Sequence, residues 1–445
     1  MHKNIQFVFL VIHTFVKRHN KQIILGFLSG FLATLILLQT SSYIYTLFFT
    51  QENYRIGIVG LSSENNLPLY IQNQISIGLT AIKKDGEAVP AAAVNWDIDK
   101  NGTVYTFHLN KNLLFHDGTK FTSHDISFNL KGATISTPDN YTYKIELKDP
   151  YAPLPVILSK PIIKSNFIGL GNYKIVNTVY FGDSISEIHI QPITKGSPSY
   201  TYKIYNNNDE AIHGFKMGEI GILYQITDIG DLKNLKNVII TEIPLYDRFV
   251  GLFYNLRNSL LKEKEIRQAL AYAIPKFDGM EPALTPLSPL SWAYSNKVRL
   301  YRYDQEIAQK ILSKSPLASN SSEITINTFS SLLPVAQQIV DAWGKIGIKT
   351  KTKVMTTIPP DYEVLLISQS IPPDPDQYHL WQSNQDITNV THYNNLKIDK
   401  LLEDGRLTTD VEKRKKIYAD FKRYLVDDAP VNLLFYPKVY KVERK

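Results

Sequence analysis

Three histidines recur every eight residues, at His108, His116 and His124, with Asp117 and Asp125 beside the last two. Imidazole and carboxylate are the donors a transition metal takes, so metal chemistry is the first possibility to weigh. The spacing speaks against it. Histidines that share a metal on one element sit close together on one face, as in a pair four apart on a helix. These three fall on a strand, a turn and a helix start. They are read as turn and capping residues, and no metal ligand set is assigned. Nucleophilic and redox chemistry fare no better. With no cysteine there is no thiolate, disulfide, Cys-held zinc or iron–sulfur cluster. No serine sits in a G-x-S-x-G elbow, and neither a Walker A loop nor G-x-G-x-x-G is present. The expectation is a protein that is not an enzyme and has no cofactor.

What these residues do offer is surface for holding something. Trp292 in Ser291-Trp292-Ala293-Tyr294 and Trp381 in Tyr378-His379-Leu380-Trp381 could line a ligand cleft, because aromatic rings give area and orientation at low entropic cost. Tyr254-Asn255 suits a chain crossing where an amide satisfies backbone groups. Ser368-Gln369-Ser370 follows the apolar strand Val364–Ile367 and brings hydrogen-bonding groups without charge. Asp374, in Asp374-Pro375-Asp376, adds a carboxylate nearby.

The elements that must position these residues are short and mixed. Val94–Ile98 and Val104–Leu109 alternate in the strand period and are joined through Asn101-Gly102, a strong hairpin signal. Thr122 and Asp125 have capping-box spacing, predicting a helix that runs on to Leu130. Further strands are expected at Arg55–Gly60, Tyr141–Leu147, Gly171–Val176, Ile185–Ile190, Tyr200–Tyr205, Val238–Ile243 and Phe249–Tyr254. Helices are expected at Glu263–Ile274, Asp304–Leu312, Pro334–Ile346, Lys397–Leu407 and Val411–Val426. This order predicts a mixed α/β (α+β) architecture of more than one lobe.

Charge divides the chain unevenly. The net charge is +7, but residues 1–50 hold Lys3, Lys17, Arg18 and Lys21 and no acid, which leaves 45 basic against 42 acidic residues elsewhere. So small an excess over so long a stretch predicts no nucleic-acid partner. From Gln22 to Thr50 there is no charged side chain, and Tyr43, Tyr45, Phe48 and Phe49 stand where an interfacial aromatic belt would lie. Residues 22–50 are therefore expected to be a transmembrane signal anchor, with no Ala-x-Ala-like cleavage site after it. The basic flank places 1–21 in the cytoplasm and the rest outside.

Taken in order, further segments carry a resemblance. They are Gly86 to Trp96, Gly102 to Leu109, Phe115 to Asp125, Gly169 to Tyr173, Gly218-Glu219-Ile220, Tyr254-Asn255 and Ile266 to Ile274. After these come Tyr303-Asp304, Gly344 to Lys349, Asp374-Pro375-Asp376, and Asn394 with Asp399 to Leu402, Arg414, Tyr418 and Pro430. The series, over about residues 55 to 437, resembles the extracytoplasmic solute-binding proteins of family 5, the oligopeptide-, dipeptide- and nickel-binding group of ABC importers. The resemblance implies a class II, two-lobed periplasmic-binding-protein-like fold with a hinge. Lobe one would comprise 52–250 completed by 430–445, and lobe two 251–429. It implies ligand contacts from Ser368, Gln369, Ser370, Asp374, Trp381, Trp292, Tyr254 and Asn255. Peptide-binding members carry an aspartate three residues before Asp-Pro-Asp, to hold the peptide's ammonium. Here that position is Ile371, and Asp374 is the nearest carboxylate that could replace it. The expected function is capture of a peptide or similar small solute for ABC permease subunits. The alternatives are a ligand-sensing receptor or a degenerate binding scaffold.

Overall fold

The computed structural model describes residues 13–14, 16–22, 24–36, 39, 52–63, 66–315 and 323–445. Asp99 opens the first hairpin: its Oδ1 accepts from the backbone N–H of Thr103 and Val104, both at 2.8 Å. Gly102 takes the left-handed conformation (φ +73°) that the turn needs. Strands Ala93–Ile98 and Val104–Leu109 pair as expected and extend to a four-stranded sheet with Thr142–Leu147 and then Ala133–Asp139. Tyr105, Phe107 and Leu109 alternate inward, packing with Phe115, Phe121, Tyr143 and Leu158 into a separate small core.

Here the predicted helix fails. The capping box forms, with Thr122 N and Oγ1 donating to Asp125 Oδ2 at 2.8 and 2.9 Å, but it caps only the single turn Ser123–Asp125. Ile126 is already extended and buried in the small core, and the chain beyond it leads to the edge strand Ala133–Asp139. Tertiary pairing overrides the local helix signal.

A seven-stranded sheet organises the first lobe. Its order is Val238–Pro244, Lys438–Arg444, Ile222–Ile226, Asn53–Val59, Ser199–Tyr205, Ser184–Pro192 and Tyr173–Phe181. Asn53–Val59 lies parallel to both its neighbours. A Cβ on its Gly57 would stand 2.2 Å from Ile220 Cδ1, so any larger residue here would have to displace the Ile220 side chain.

The second lobe is built on a six-stranded sheet, ordered Glu281–Pro282, Val431–Tyr436, Arg248–Tyr254, Val364–Ser370, Ile324–Thr328 and Thr350–Val354. Its two central strands, Arg248–Tyr254 and Val364–Ser370, are buried on both faces over Phe249–Tyr254 and Val364–Ile367, which explains those apolar runs. Val250, Leu252, Val364 and Leu366 face one core with Ile266, Leu270, Ile339 and Trp343 from helices Lys264–Tyr272 and Leu333–Gly344. Phe249, Phe253, Leu365 and Ile367 face a second core. Ile398 and Leu402 of helix Leu396–Leu407 close it, with Tyr418, Phe421 and Leu425 of helix Val411–Asp428.

Two neighbouring passages join the lobes. The chain crosses between Pro244 and Arg248 and returns between Tyr436 and Lys438. Leu245 N–H donates to Pro437 O at 2.8 Å, and the Tyr246 and Tyr436 rings meet edge-on at 5.3 Å. Lys438 Nζ pairs with Glu242 at 2.8 Å on one side and donates to Gly279 O at 3.2 Å on the other. The boundaries expected at 250 and 430 therefore move. Residues 248–250 pair with Ser368–Ser370, and 431–435 pair with 250–253, so both stretches belong to the second lobe. Among the described residues no helix is long and apolar enough to cross a membrane; residues 23, 37–38 and 40–50 of the expected anchor lie outside them.

Arg267 fastens the second lobe. It is 3% exposed and donates to the carbonyls of Leu261 and Lys262 at 2.8 Å each, to Ala429 at 3.0 Å, and to Asp428. Arg267→Ala strands several buried acceptors and should cost about 3–5 kcal/mol, read from the urea midpoint. A loss below about 1 kcal/mol would contradict this role.

Candidate functional site

Strand Arg248–Tyr254 starts directly after the crossing, and Ser370 is its partner at Arg248. The end of strand Val364–Ser370 therefore borders the first lobe. Along it four residues are buried, then Ser368 is exposed, Gln369 half-buried and Ser370 exposed. Gln369 Nε2 donates to Ser370 O at 3.2 Å, and neither serine hydroxyl has a partner among the described residues. By the strand's alternation Ser368 and Ser370 share one face, in line with Val364 and Leu366, and Gln369 lies on the other, in line with Leu365 and Ile367. The next residue, Ile371, donates its N–H to Asp247 O at 2.7 Å and buries its side chain in the second core.

The nearby carboxylates are committed. Asp374 is 5% exposed and takes Arg414 in a fork, at 2.6 Å to Oδ1 and 3.0 Å to Oδ2. Asp376 Oδ2 accepts from Arg406 Nε and Nη2 at 3.1 and 2.8 Å. Burial alone would lower the pKa of Arg414; the Asp374 carboxylate and the Tyr418 hydroxyl outweigh it and raise it. Asp374 is thus a structural anion clamping the loop to helix Val411–Asp428, and the expectation that it contacts ligand is corrected.

Three more expected contacts lie elsewhere. Trp381 is 1% exposed, stacks on Phe253 at 6.1 Å and donates Nε1–H to Gln377 at 2.8 Å. Tyr254 is fully buried against Trp343, its hydroxyl accepting from Asn432 Nδ2 at 2.5 Å. Both are core residues, placed there by the apolar runs that contain them. Asn255 does satisfy backbone, donating to Tyr362 O at 2.8 Å and accepting from Arg257 N–H at 3.0 Å. It does so at the far end of its strand, roughly 20 Å from the crossing by strand rise.

Trp292 is half-buried where the lobes meet. Its N–H donates to Asp85 O at 2.9 Å, its ring meets Tyr418 edge-on at 6.3 Å, and the Arg414 guanidinium lies over it at 5.3 Å. Asp85 belongs to the tight turn between strands Thr80–Ile82 and Ala88–Pro90 of the first lobe. Gly86 in that turn has φ +87°, and a Cβ there would fall 2.3 Å from Pro373 O. A second contact joins Ala152 N–H to Arg406 O at 2.9 Å, with the Arg406 guanidinium over Tyr378 and Tyr151 at 4.0 and 5.3 Å. Sequence reasoning missed Asp85, Tyr151 and Arg406 as contact residues. Trp292 stands out in the sequence as an aromatic that could line a cleft, and Gly86 and Arg414 as part of the resemblance.

Behind Trp292 lies Lys422, 1% exposed, donating to Ala293 O at 2.8 Å and Ser295 O at 3.3 Å, with burial pushing its pKa down to about 8. The three histidines disperse. His108 pairs with Asp97 at 2.9 Å, the His116 ring lies between Gly171 O and Gly169 N–H at 3.1 and 3.3 Å, and His124 is exposed. Among the described residues no three His, Asp or Glu side chains gather as a metal set.

Two sheets joined only by a paired crossing define a two-lobed fold. The chain belongs to the bacterial extracellular solute-binding proteins, family 5, whose model matches residues 87–389. It is similar to the oligopeptide-binding protein AppA of Bacillus subtilis, 25% identical over 419 residues that cover 76% of each chain. The structure of NikZ from Campylobacter jejuni in complex with Ni(L-His) matches with a TM-score of 0.72 at 25% identity, over 89% of this chain and 95% of that one. The ABC transporter substrate-binding protein CtaP of Listeria monocytogenes matches with a TM-score of 0.76 at 22% identity, over 89% and 94%.

Asp374→Ala should cost about 3–5 kcal/mol by stranding a buried guanidinium, and adding Arg414→Met should return part of it in urea titrations, the Gly405 carbonyl that Arg414 also serves being left without its donor. A double variant no more stable than the single one would contradict a stranded charge as the source of the loss. For Lys422 the folded pKa lies below the unfolded value of about 10.4, so between pH 8 and that value the unfolded chain binds more protons. Stability relative to Lys422→Met should rise with pH across that window; a flat or falling difference would show the ammonium to be unstrained.

Proposed function

We propose that this chain is the membrane-anchored, extracytoplasmic substrate-binding component of an ABC importer, closing its lobes on a peptide or similar small solute and presenting it to permease subunits. The observation that carries this is the strand end Ser368–Ser370. Two uncommitted hydroxyls border the gap beside the hinge, while both adjacent carboxylates are held by arginine. Such a wall recognises a ligand by hydrogen bonding along an extended backbone, with no fixed counter-ion for an ammonium group. Family membership and the similarity to AppA support a peptide; the similarity to NikZ supports a small chelate as the other solute of the right size. A ligand touching both lobes shifts the population toward the closed form.

The anchor belongs to the same proposal. Residues 24–36 are helical and expose Ile24, Leu25, Phe27, Leu28, Phe31, Leu32, Leu35 and Ile36. They lie within the uncharged stretch 22–50, behind a basic flank. Such an anchor would hold the lobes outside the cell membrane with the N-terminus in the cytoplasm.

Equilibrium dialysis of the full chain against a mixed peptide library, read by mass spectrometry, should enrich a reproducible peptide set; a repeated blank would sink the peptide reading. N-acetylated and free forms of an enriched peptide should bind within about threefold of each other, because the cleft wall offers no free carboxylate to reward the charge. A strong preference for the free amine would overturn that part.

A further inference from the structure

The second lobe contains a cavity of about 890 Å³, inside the range of about 300–1,000 Å³ typical of small-ligand sites. It lies at the outer edge of the six-stranded sheet, between the short connection after helix Lys264–Tyr272 and the strap 299–303. Its walls are built rather than accidental. Phe277 packs on Phe435 at 5.2 Å, and Tyr301 donates its hydroxyl to Val426 O and Asp427 O at 3.1 and 3.2 Å.

Two features of this cavity point to the same occupant. First, one side is the uncovered edge of strand Val431–Tyr436. The two-residue strand Glu281–Pro282 pairs only with Tyr436 and Phe435, and Ala283 N–H adds one bond to Leu434 O. Among the described residues nothing pairs with the outer edge at Val431–Leu433. An open strand edge is a template for another extended chain. Second, the charged lining is mostly cationic. Lys276, Arg299 and Arg302 line the cavity against a single carboxylate, Asp278, and among the described residues only Arg299 of these three cations has an ion-pair partner, Asp427 at 2.9 Å.

We infer that this cavity is a second binding site, separate from the cleft, for a short apolar peptide with a free C-terminal carboxylate. The peptide adds as a strand along Val431–Leu433, buries its side chains against Phe277, Met280, Leu284 and Leu300, and sets its carboxylate on Lys276 and Arg302. The site lies within one lobe, so it does not depend on lobe closure or on transport.

The test uses the full chain and one probe, acetyl-Val-photoleucine-Ile-Leu, as the free acid, as the C-terminal amide, and with its backbone amides N-methylated. After irradiation, adducts are mapped by mass spectrometry. The free acid should label 271–284, 299–303 or 431–435. The amide should label about fivefold less, as expected for losing two partly exposed charge contacts. Lys276→Ala with Arg302→Ala should bring the acid down to the amide's level, and N-methylation should abolish labelling without touching the protein. Labelling confined to 248 and 368–376, equal labelling by all three probes, or none at all would overturn the inference. The first of those outcomes would leave the cleft reading intact.

Discussion

Every covalent link between the lobes runs through two adjacent antiparallel passages, Pro244 to Arg248 and Tyr436 to Lys438, and this constraint governs the rest of the molecule. Two neighbouring strands joined by Leu245 N–H to Pro437 O can bend together but cannot slide far apart. Motion between the lobes is therefore of the hinge kind, absorbed by a few residues at the ends of elements. The same passages fix the gap. Strand Arg248–Tyr254 begins at one of them, and its antiparallel partner brings Ser368–Ser370 back to the same level.

On the far side of that gap the lobes already touch. Asp85 O with Trp292 N–H, Gly86 against Pro373, and Ala152 N–H with Arg406 O form a small contact area, much of it backbone. Behind it the two ion pairs, Asp374 with Arg414 and Asp376 with Arg406, hold the loop 371–378 to two helices. A buried ion pair is weak evidence for stability, because desolvation offsets much of the attraction. Its clearer effect here is positional. It fixes Pro373 and Trp292 where the first lobe's turn can meet them, and it removes the carboxylates from the chemistry of the gap.

The framework was legible wherever a local pattern and burial agree. The hairpin at Asn101-Gly102 and the helices Gln305–Leu312 and Val411–Asp428 form as read, the two helices capped by Asp304 and Asp410. The site was legible only in part. Ser368-Gln369-Ser370 stood out because polarity breaks an apolar run, and that break does mark the surface. Trp381 and Tyr254 misled because a large aromatic in an apolar run serves a core as readily as a cleft, and only the sheet's two-sided burial decides between them. The helix after Thr122 misled for a related reason: its cap is real, but the edge strand Ala133–Asp139 lies too close for a helix to continue. Asp374 shows a further limit. Its partner Arg414 stands 40 residues away, and no spacing rule reveals such a pairing.

Closure is then a matter of small differences. Contacts between the lobes, such as Asp85 O with Trp292 N–H, stabilise the arrangement seen here; on the proposed reading a solute would add its differential affinity for that arrangement over a more open one. Moving a two-state equilibrium from 1:99 to 99:1 takes about 5.5 kcal/mol of such difference, and every contact the lobes make by themselves lowers that demand. On the proposed reading, hydrogen bonds at Ser368 and Ser370, worth about 1 kcal/mol each, would add to that difference. The Asp374–Arg414 and Asp376–Arg406 pairs withdraw two carboxylates from that strand end, so the fixed charge left beside Ser370 is the exposed Asp247–Arg248 pair, which neutralises itself.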